Sequence, residues 1–366
     1  MKKVLFVATV TRHINAFHIP YLKWFKEQGY EVHVASNGNE KIEYCDKHFN
    51  LPFARFPLKV NNIKTYKELK KIINDNNYEI IHCHTPVGGV LTRLAARKAR
   101  KNGTKVIYTA HGFHFYKGAP LLNWIIYYPI EKILSRYTDC LITINKEDYE
   151  LAKKKFKKAE RIEHVYGVGV DSKKFGKIIL NDIEKEKLRK SIGIDKDNYI
   201  IIYVAELSDR KNQEMLIRAI ELLEDNKRKK VKVLLVGKDS KNGKYHKLVN
   251  KLVLEKNILF LGYRNDINKL MQIANLAVST SKQEGLPVNI IEAMFMQLPI
   301  IATDCRGNRD LINKCVEINN YKQLEEEIVS AMDTKYQTLK YEVDAYKIEN
   351  VMKKVEQIYK ETIRYE

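Results

Sequence analysis

Ile200-Ile201-Ile202-Tyr203-Val204-Ala205 is an uncharged apolar run, and after a polar loop it is followed by the helical stretch Glu214–Asp225. A short run of this kind, rich in β-branched residues, reads as a strand buried on both faces. It restarts a pattern that the chain has already used once. Upstream, Val4–Thr9, Glu31–Ser36, Ile80–His84, Lys105–Ala110 and Cys140–Thr143 have the same strand character. Between them lie helical stretches such as Ile63–Asn76, where Ile63, Tyr66, Leu69 and Ile73 recur at helix spacing, and Val90–Lys101. Downstream, Val231–Val236, Ile258–Leu261, Leu276–Thr280 and Ile300–Thr303 continue the second series.

Strands that alternate with helices build parallel sheets covered on both faces. Two such series in 366 residues exceed one ordinary core. The expectation is an α/β protein of two doubly wound, Rossmann-like domains facing a central cleft. The boundary is expected after Gly167-Val168-Gly169-Val170-Asp171, near Lys173–Ile178. Residues 1–176 form the first domain and 177–344 the second; the last helical stretch, 345–366, could pack back on the first, which the pattern alone does not show. Ligands of open α/β sheets bind beyond the carboxyl ends of the strands, so the cleft is the expected active site.

The net charge is +20, and residues 1–176 carry 31 Lys/Arg against 16 Asp/Glu. A basic half can attract nucleic acid, an anionic membrane or a phosphorylated ligand, or serve solubility alone. No nucleic-acid motif accompanies it. The five cysteines, Cys45, Cys83, Cys140, Cys305 and Cys315, are odd in number and lack CxxC spacing, which reads as a reduced cytosolic protein. The apolar run Val4–Val10 after Lys2-Lys3 is too short for a signal peptide, and no stretch reaches the ~18 apolar residues of a membrane span.

Four constellations could carry chemistry. The first runs from Ser281 to Glu292, through Glu284-Gly285-Leu286-Pro287-Val288. A strand ends near Thr280, a tight Gly turn follows, and a helix runs to about Met296. Unpaired N–H groups at its start suit a diphosphate; Glu292, two turns in, can accept ribose hydroxyls, and Glu284 can reach a sugar. A capped helix with exposed carboxylates has the same spacing. The second is Ser208-Asp209-Arg210-Lys211-Asn212, beyond the strand ending at Ala205. Its adjacent cations could neutralise a diphosphate leaving group, or belong to an ordinary basic loop.

The third is a set of histidines at or beyond strand ends: His13, His18, His82, His84, His111 and His114. Lacking a companion Cys pair or carboxylate at ligand spacing, they read as polar groups lining a cleft more than as a metal site. His111 could bond a sugar hydroxyl or be satisfied by backbone. The triplet Asp195-Lys196-Asp197 resembles a metal-holding pair, but it precedes a strand and reads as a solvated turn. The fourth is Lys117–Pro129, with Trp124, Ile125, Ile126, Tyr127 and Tyr128. Basic residues nearby, including Arg93, Arg97 and Lys98, suit a membrane interface; a fully buried helix is the alternative.

Together these motifs resemble retaining glycosyltransferases of the GT-B fold, in glycosyltransferase family 4, over essentially the whole chain. Glu284 and Glu292 match that family's Glu-x7-Glu motif. Lys211 matches its diphosphate-binding Lys, with Arg210 as partner, and His111 its His near the transferred sugar. Gly169-Val170-Asp171 and Arg306-Gly307-Asn308-Arg309-Asp310 match as well. His18-Ile19-Pro20, His82-Cys83-His84-Thr85-Pro86 and Ala110-His111-Gly112-Phe113-His114 resemble the bacterial capsule and exopolysaccharide branch.

The resemblance implies a UDP-sugar donor as co-substrate, no required cofactor or metal, and a polyprenyl-diphosphate-linked sugar acceptor. It also implies a cytoplasmic protein, peripheral on the anionic inner face of the cell membrane. His13, His18, His84, Lys117 and Trp124 are the expected acceptor residues. Two departures stand out: Ala205-Glu206-Leu207 replaces a Gly-Arg-Leu stretch, and Thr9-Val10-Thr11-Arg12-His13 replaces a Gly pair. A sugar-nucleotide epimerase on the same architecture, a glycosyltransferase with a soluble acceptor, and a nucleic-acid or membrane-binding protein are the rival readings.

Overall fold

The computed structural model describes residues 1–54, 56, 59–176, 180–333 and 340–364. The chain divides into two compact units, Met1–Val168 with Glu349–Glu366, and Gly169–Ile348.

The first unit is built on a seven-stranded parallel sheet. Its strands are β1 (Lys3–Val10), β2 (Glu31–Asn37), β3 (Lys47–Asn50), β4 (Ile80–His84), β5 (Lys105–Ala110), β6 (Cys140–Thr143) and β7 (Arg161–His164), in the order β3-β2-β1-β4-β5-β6-β7. Successive side chains of a strand face opposite ways. On β1, Val4, Phe6 and Ala8 pack with Leu22 and Phe25 of the helix Ile19–Glu27, while Leu5 and Val7 face Leu69 and Ile73 of the helix Asn61–Asn76. Covering both faces explains why these strands read as continuous apolar runs rather than alternating ones. Edge strands β3 and β7 escape that reading. Their sequences, Lys47-His48-Phe49-Asn50 and Arg161-Ile162-Glu163-His164, are only partly buried, so no apolar run announces them.

The terminal helix Ile348–Arg364 belongs to this unit from Glu349 onward. Val351, Val355, Ile358 and Tyr359, at i, i+4, i+7 and i+8, form the stripe that joins the β1 face. Tyr359 Oη meets His82 Nδ1 at 2.7 Å. The stretch Val90–Lys101 is two helices, Pro86–Ala95 and Arg97–Lys101, rather than one.

The second unit carries β8 (Tyr199–Val204), β9 (Val231–Val236), β10 (Ile258–Gly262), β11 (Leu276–Ser279) and β12 (Ile300–Ala302), all parallel, in the order β10-β9-β8-β11-β12. Helices Gln213–Leu222 and Tyr321–Asp333 cover one face through Met215, Leu216, Ile220, Leu324 and Ile328. The boundary lies earlier than residue 176. Val170 and Ile348 exchange backbone hydrogen bonds with Tyr346 and Val170, at 2.9 and 3.0 Å, which fastens Gly169-Val170-Asp171 into the second unit. Gly169 has φ +76°, and a Cβ there would lie 2.5 Å from Ile348 Cα, so this crossing requires glycine. The expected domain start at 177 and the end of the last helix at 365–366 lie outside the described residues.

Candidate active site

The order of strands reverses between β8 and β11 in the second unit and between β1 and β4 in the first. Such switch points open a crevice at the carboxyl ends of the strands. The expected residues other than Lys117 and Trp124 gather at these two places.

In the second unit, the loops after β8, β11 and β12 are laced together. Lys282 donates its N–H to Arg210 O at 2.8 Å, Thr280 its hydroxyl to Asn212 O at 2.8 Å, and Tyr203 its hydroxyl to Lys211 O at 2.6 Å. Arg306, buried, bonds Glu284 O through Nε at 3.0 Å. Gly307, with φ +83°, packs so closely that a Cβ would lie 2.5 Å from Gly285 O. This framework brings three expected residues into contact. Glu284 Oε1 meets Lys211 Nζ at 2.5 Å, and Oε2 meets Arg210 Nη1 at 3.3 Å. Glu284 is 7% exposed, Lys211 13% and Arg210 48%, so the pair is interior and Arg210 is its solvent-facing edge. Burial pushes the Glu284 carboxyl up, but Lys211 and Arg210 outweigh it and hold the pKa below the ordinary value.

The helix Val288–Phe295 follows, with Pro287 at its N-cap and no side chain capping it. Its first N–H groups lack intrahelical partners and carry partial positive charge. Pro287 itself contributes no N–H, so of the expected turn residues Gly285, Leu286 and Val288 hold the donors while Pro287 sets the backbone. Glu292 stands in the second turn, nearer the helix start than the sequence suggested. Burial raises its pKa to about 7, against a smaller opposing pull from Lys174. Asp195, Lys196 and Asp197 are exposed in the turn before β8, at the opposite end of that strand.

In the first unit, His13 and His18 follow β1, His84 ends β4 and His111 follows β5. The rings of His18 and His84 stack at 3.8 Å, and those of His13 and His111 meet edge-on at 4.8 Å. Both ring nitrogens of His18 and His84, and Nε2 of His13 and His111, are buried without a hydrogen-bond partner. Burial pushes all four imidazoles down, His13 to about 4 and the others well below 6.5, with neighbouring histidines adding to the effect for His18, His84 and His111. Four neutral imidazoles therefore offer both N–H donors and bare acceptors to a polar ligand.

One nitrogen from each lies within 4.8 Å of the others, so the same four rings could also converge on a metal ion. Among the described residues, no hydrogen-bond partner orients the rings of His18 or His84, the support that metal-bound histidines usually have. His82 is different: Tyr359 and Thr109 satisfy both its nitrogens, at 2.7 and 2.8 Å, which makes it structural.

Two family models match, "Glycosyl transferases group 1" over residues 184–353 and "Glycosyl transferase 4-like" over residues 3–145. EpsD of Bacillus subtilis (strain 168), which bears a glycosyltransferase name, is 48% identical over 311 residues, 85% of this chain and 81% of EpsD. The chain belongs to the family 4 glycosyltransferases. The epimerase and binding-protein readings fall with that finding.

An Escherichia coli relative, named UDP-Gal:alpha-D-GlcNAc-diphosphoundecaprenol alpha-1,3-galactosyltransferase, is 27% identical to this glycosyltransferase over 75% of the chain and 72% of its own. The crystal structure of Anabaena Alr3699/HepE with UDP and glucose matches 99% of the chain and 100% of its own with a TM-score of 0.78, at 18% identity. That likeness shows the GT-B fold.

Elsewhere the glycosyltransferase departs from expectation. The helix Leu121–Leu134 is neither fully buried nor lined outward by its aromatics. Trp124 is half-buried against Phe115 and Tyr128, at ring distances of 5.5 and 5.8 Å. Its exposed large apolar side chains are Leu121, Leu122, Ile125, Ile126 and Ile133. Lys117 is exposed in the preceding turn, its N–H bonded to Glu147. Among the described residues, neither Trp124 nor Lys117 shares a hydrogen bond or ring contact with the four histidines. Arg93, read as surface charge, is 1% exposed; it pairs with Glu131 at 2.8 Å and lies 3.9 Å over the Tyr108 ring. Among the described residues, no helix is long and apolar enough to cross a membrane. Tyr203 and Thr303, which hold these loops through Lys211 O and Ser281 O, carried no signal in sequence beyond their place in strands.

Proposed function

We propose that this glycosyltransferase moves a sugar, with retention at its anomeric carbon, from a UDP-sugar to a saccharide linked to a polyprenyl diphosphate. The carrying observation is the buried Glu284 carboxylate bridged by Lys211 and Arg210 beside the uncapped start of the helix Val288–Phe295. Cations and N–H groups that converge on one point stabilise a departing nucleoside diphosphate, whose charge grows in the transition state.

In this reading Arg210, Lys211 and the N–H groups of Gly285, Leu286 and Val288 take the diphosphate, with no metal needed there. Glu284 accepts hydroxyls of the transferred sugar on the lone pairs its cations leave free. Glu292 accepts the ribose hydroxyls. His111 orients the sugar, and His13, His18 and His84 receive the acceptor. The acceptor class is supported by relatives named for diphosphoundecaprenol sugars, from Escherichia coli and Campylobacter jejuni, at 27% and 25% identity. With such an acceptor, in cell-surface polysaccharide synthesis, the enzyme works as a peripheral protein on the inner membrane face, a reading supported by the exposed aliphatic side chains of Leu121–Leu134, which would meet lipid.

The test is transfer from a panel of UDP-, GDP- and ADP-sugars to lipid-diphosphate acceptors. Lys211→Ala and Glu284→Ala should each lower kcat by about 10²-fold or more, the scale for one transition-state contact, while the fold is kept. Full activity in either variant would sink the assignment.

A further inference from the structure

We infer that an apolar cavity in the first unit receives the isoprenoid segment adjoining the diphosphate of the acceptor. This rests on the lipid-diphosphate reading above and adds a site for the hydrocarbon.

The cavity is about 190 Å3, and its wall includes Val87, Leu91, Phe113, Phe115, Ile126 and Ile130. An apolar cavity of ~150 Å3 already stays dry and takes a benzene-sized hydrocarbon. The space therefore suits a short branched segment rather than a sugar. Tyr108, His114, Tyr127 and Glu131 also line it; the Glu131 carboxylate is paired with Arg93 at 2.8 Å and so presents no lone charge to a hydrocarbon.

The position singles out the occupant. β4 ends at His84, and the helix Pro86–Ala95, bearing Val87 and Leu91, begins two residues later. β5 ends at Ala110, and His111 is followed directly by Gly112, Phe113, His114 and Phe115, all of which line the cavity. The same two strand ends thus carry unpartnered, buried imidazoles on one side and the cavity wall on the other. A polyprenyl diphosphate has that same order of parts: a charged, oxygen-rich head and then a branched aliphatic chain. Ile126 lines the cavity and is 42% exposed, so the cavity reaches the surface there. Leu122 and Ile125, on the same helix, continue an exposed aliphatic ridge onto which the rest of the chain can pass. Each carbon moved from water into the cavity adds affinity that a soluble acceptor cannot gain.

Calorimetric titration of the full chain with farnesyl diphosphate and inorganic diphosphate, without bilayers, tests this. Farnesyl diphosphate should bind at least tenfold tighter than inorganic diphosphate. Ile126→Glu, at an exposed position that the fold tolerates, and Ile130→Trp, which fills the cavity, should each remove that margin and leave inorganic diphosphate unchanged. No binding of farnesyl diphosphate, equal affinity for both ligands, or a margin that survives both variants overturns the inference. Transfer to a lipid-linked acceptor without the margin would remove the cavity assignment alone. The margin without transfer from any nucleotide-sugar would instead remove the function on which it rests.

Discussion

Replacing Glu292 by Gln should make the protein more stable in base and weaken its hold on UDP. The carboxyl is kept near 7 instead of 4.5, because burial disfavours its charge and Lys174 only partly compensates. The folded state then keeps its proton up to about pH 7, whereas the unfolded chain releases it near 4.5. Between these values stability falls as pH rises, and above 7 the full cost is present. At 1.36 kcal/mol per pH unit the cost is about 3 kcal/mol. Gln cannot ionise and escapes it. Urea unfolding of both proteins at pH 5, 6, 7 and 8 should show near-equal stabilities at the acid end. The variant should gain up to about 3 kcal/mol at pH 8. In the same samples UDP should bind the variant about tenfold more weakly at pH 8, through loss of charge-assisted ribose hydrogen bonds. Wild-type affinity should rise through pH 7 as the carboxylate forms. A stability difference that ignores pH, or a variant weaker at pH 8 than at pH 5, would refute the burial argument.

Two further outcomes follow from the first unit. His13, His18, His82, His84 and His111 are held neutral by burial, with His13 near 4 and His82 near 3. Their folded values lie below the unfolded 6.5, so the stability they share is whole above pH 6.5. It is lost as pH falls toward 4, by up to about 1.4 kcal/mol per pH unit for each imidazole. Thermal melts at pH 7, 6 and 5 should show a steep decline that His18→Gln makes shallower; an unchanged slope would contradict the protonation argument. Arg93→Ala strands the buried Glu131 carboxylate, which costs about 3–5 kcal/mol and should lower the melting temperature on the order of 10 °C. A drop of about 2 °C or less would mean that the pair is not isolated from water.

The two kinds of site differed in how far the sequence disclosed them. Arg210-Lys211 and Glu284 through Glu292 are short local patterns, each sitting just past an apolar run, so position alone pointed to the ligand edge of a sheet. The histidine cluster is assembled from three strand ends whose neighbours are set by strand order. The separations of 13, 18, 84 and 111 do not reveal that the rings of His18 and His84 stack while His82 turns to Tyr359 of the terminal helix. Arg93 sat among basic residues and read as surface charge, because nothing local identifies Glu131 and Tyr108 as its partners. Trp124 drew attention as an interfacial residue, yet the aliphatic neighbours Leu121, Leu122, Ile125 and Ile126 carry the exposed face.

By itself the sequence determined the two-unit α/β architecture, every central strand, and the position of Arg210-Lys211 and Glu284 just beyond strand ends. Those features rest on runs and periodicities a few residues long, which sterics and burial translate directly into strands, helices and turns. Tertiary structure alone decided which polar groups are buried, which are paired, and which apolar walls enclose a cavity. These depend on groups far apart in the chain, such as Lys211 with Glu284, Arg93 with Glu131 and Phe113 with Ile130, whose meeting is fixed only when the sheets and helices pack.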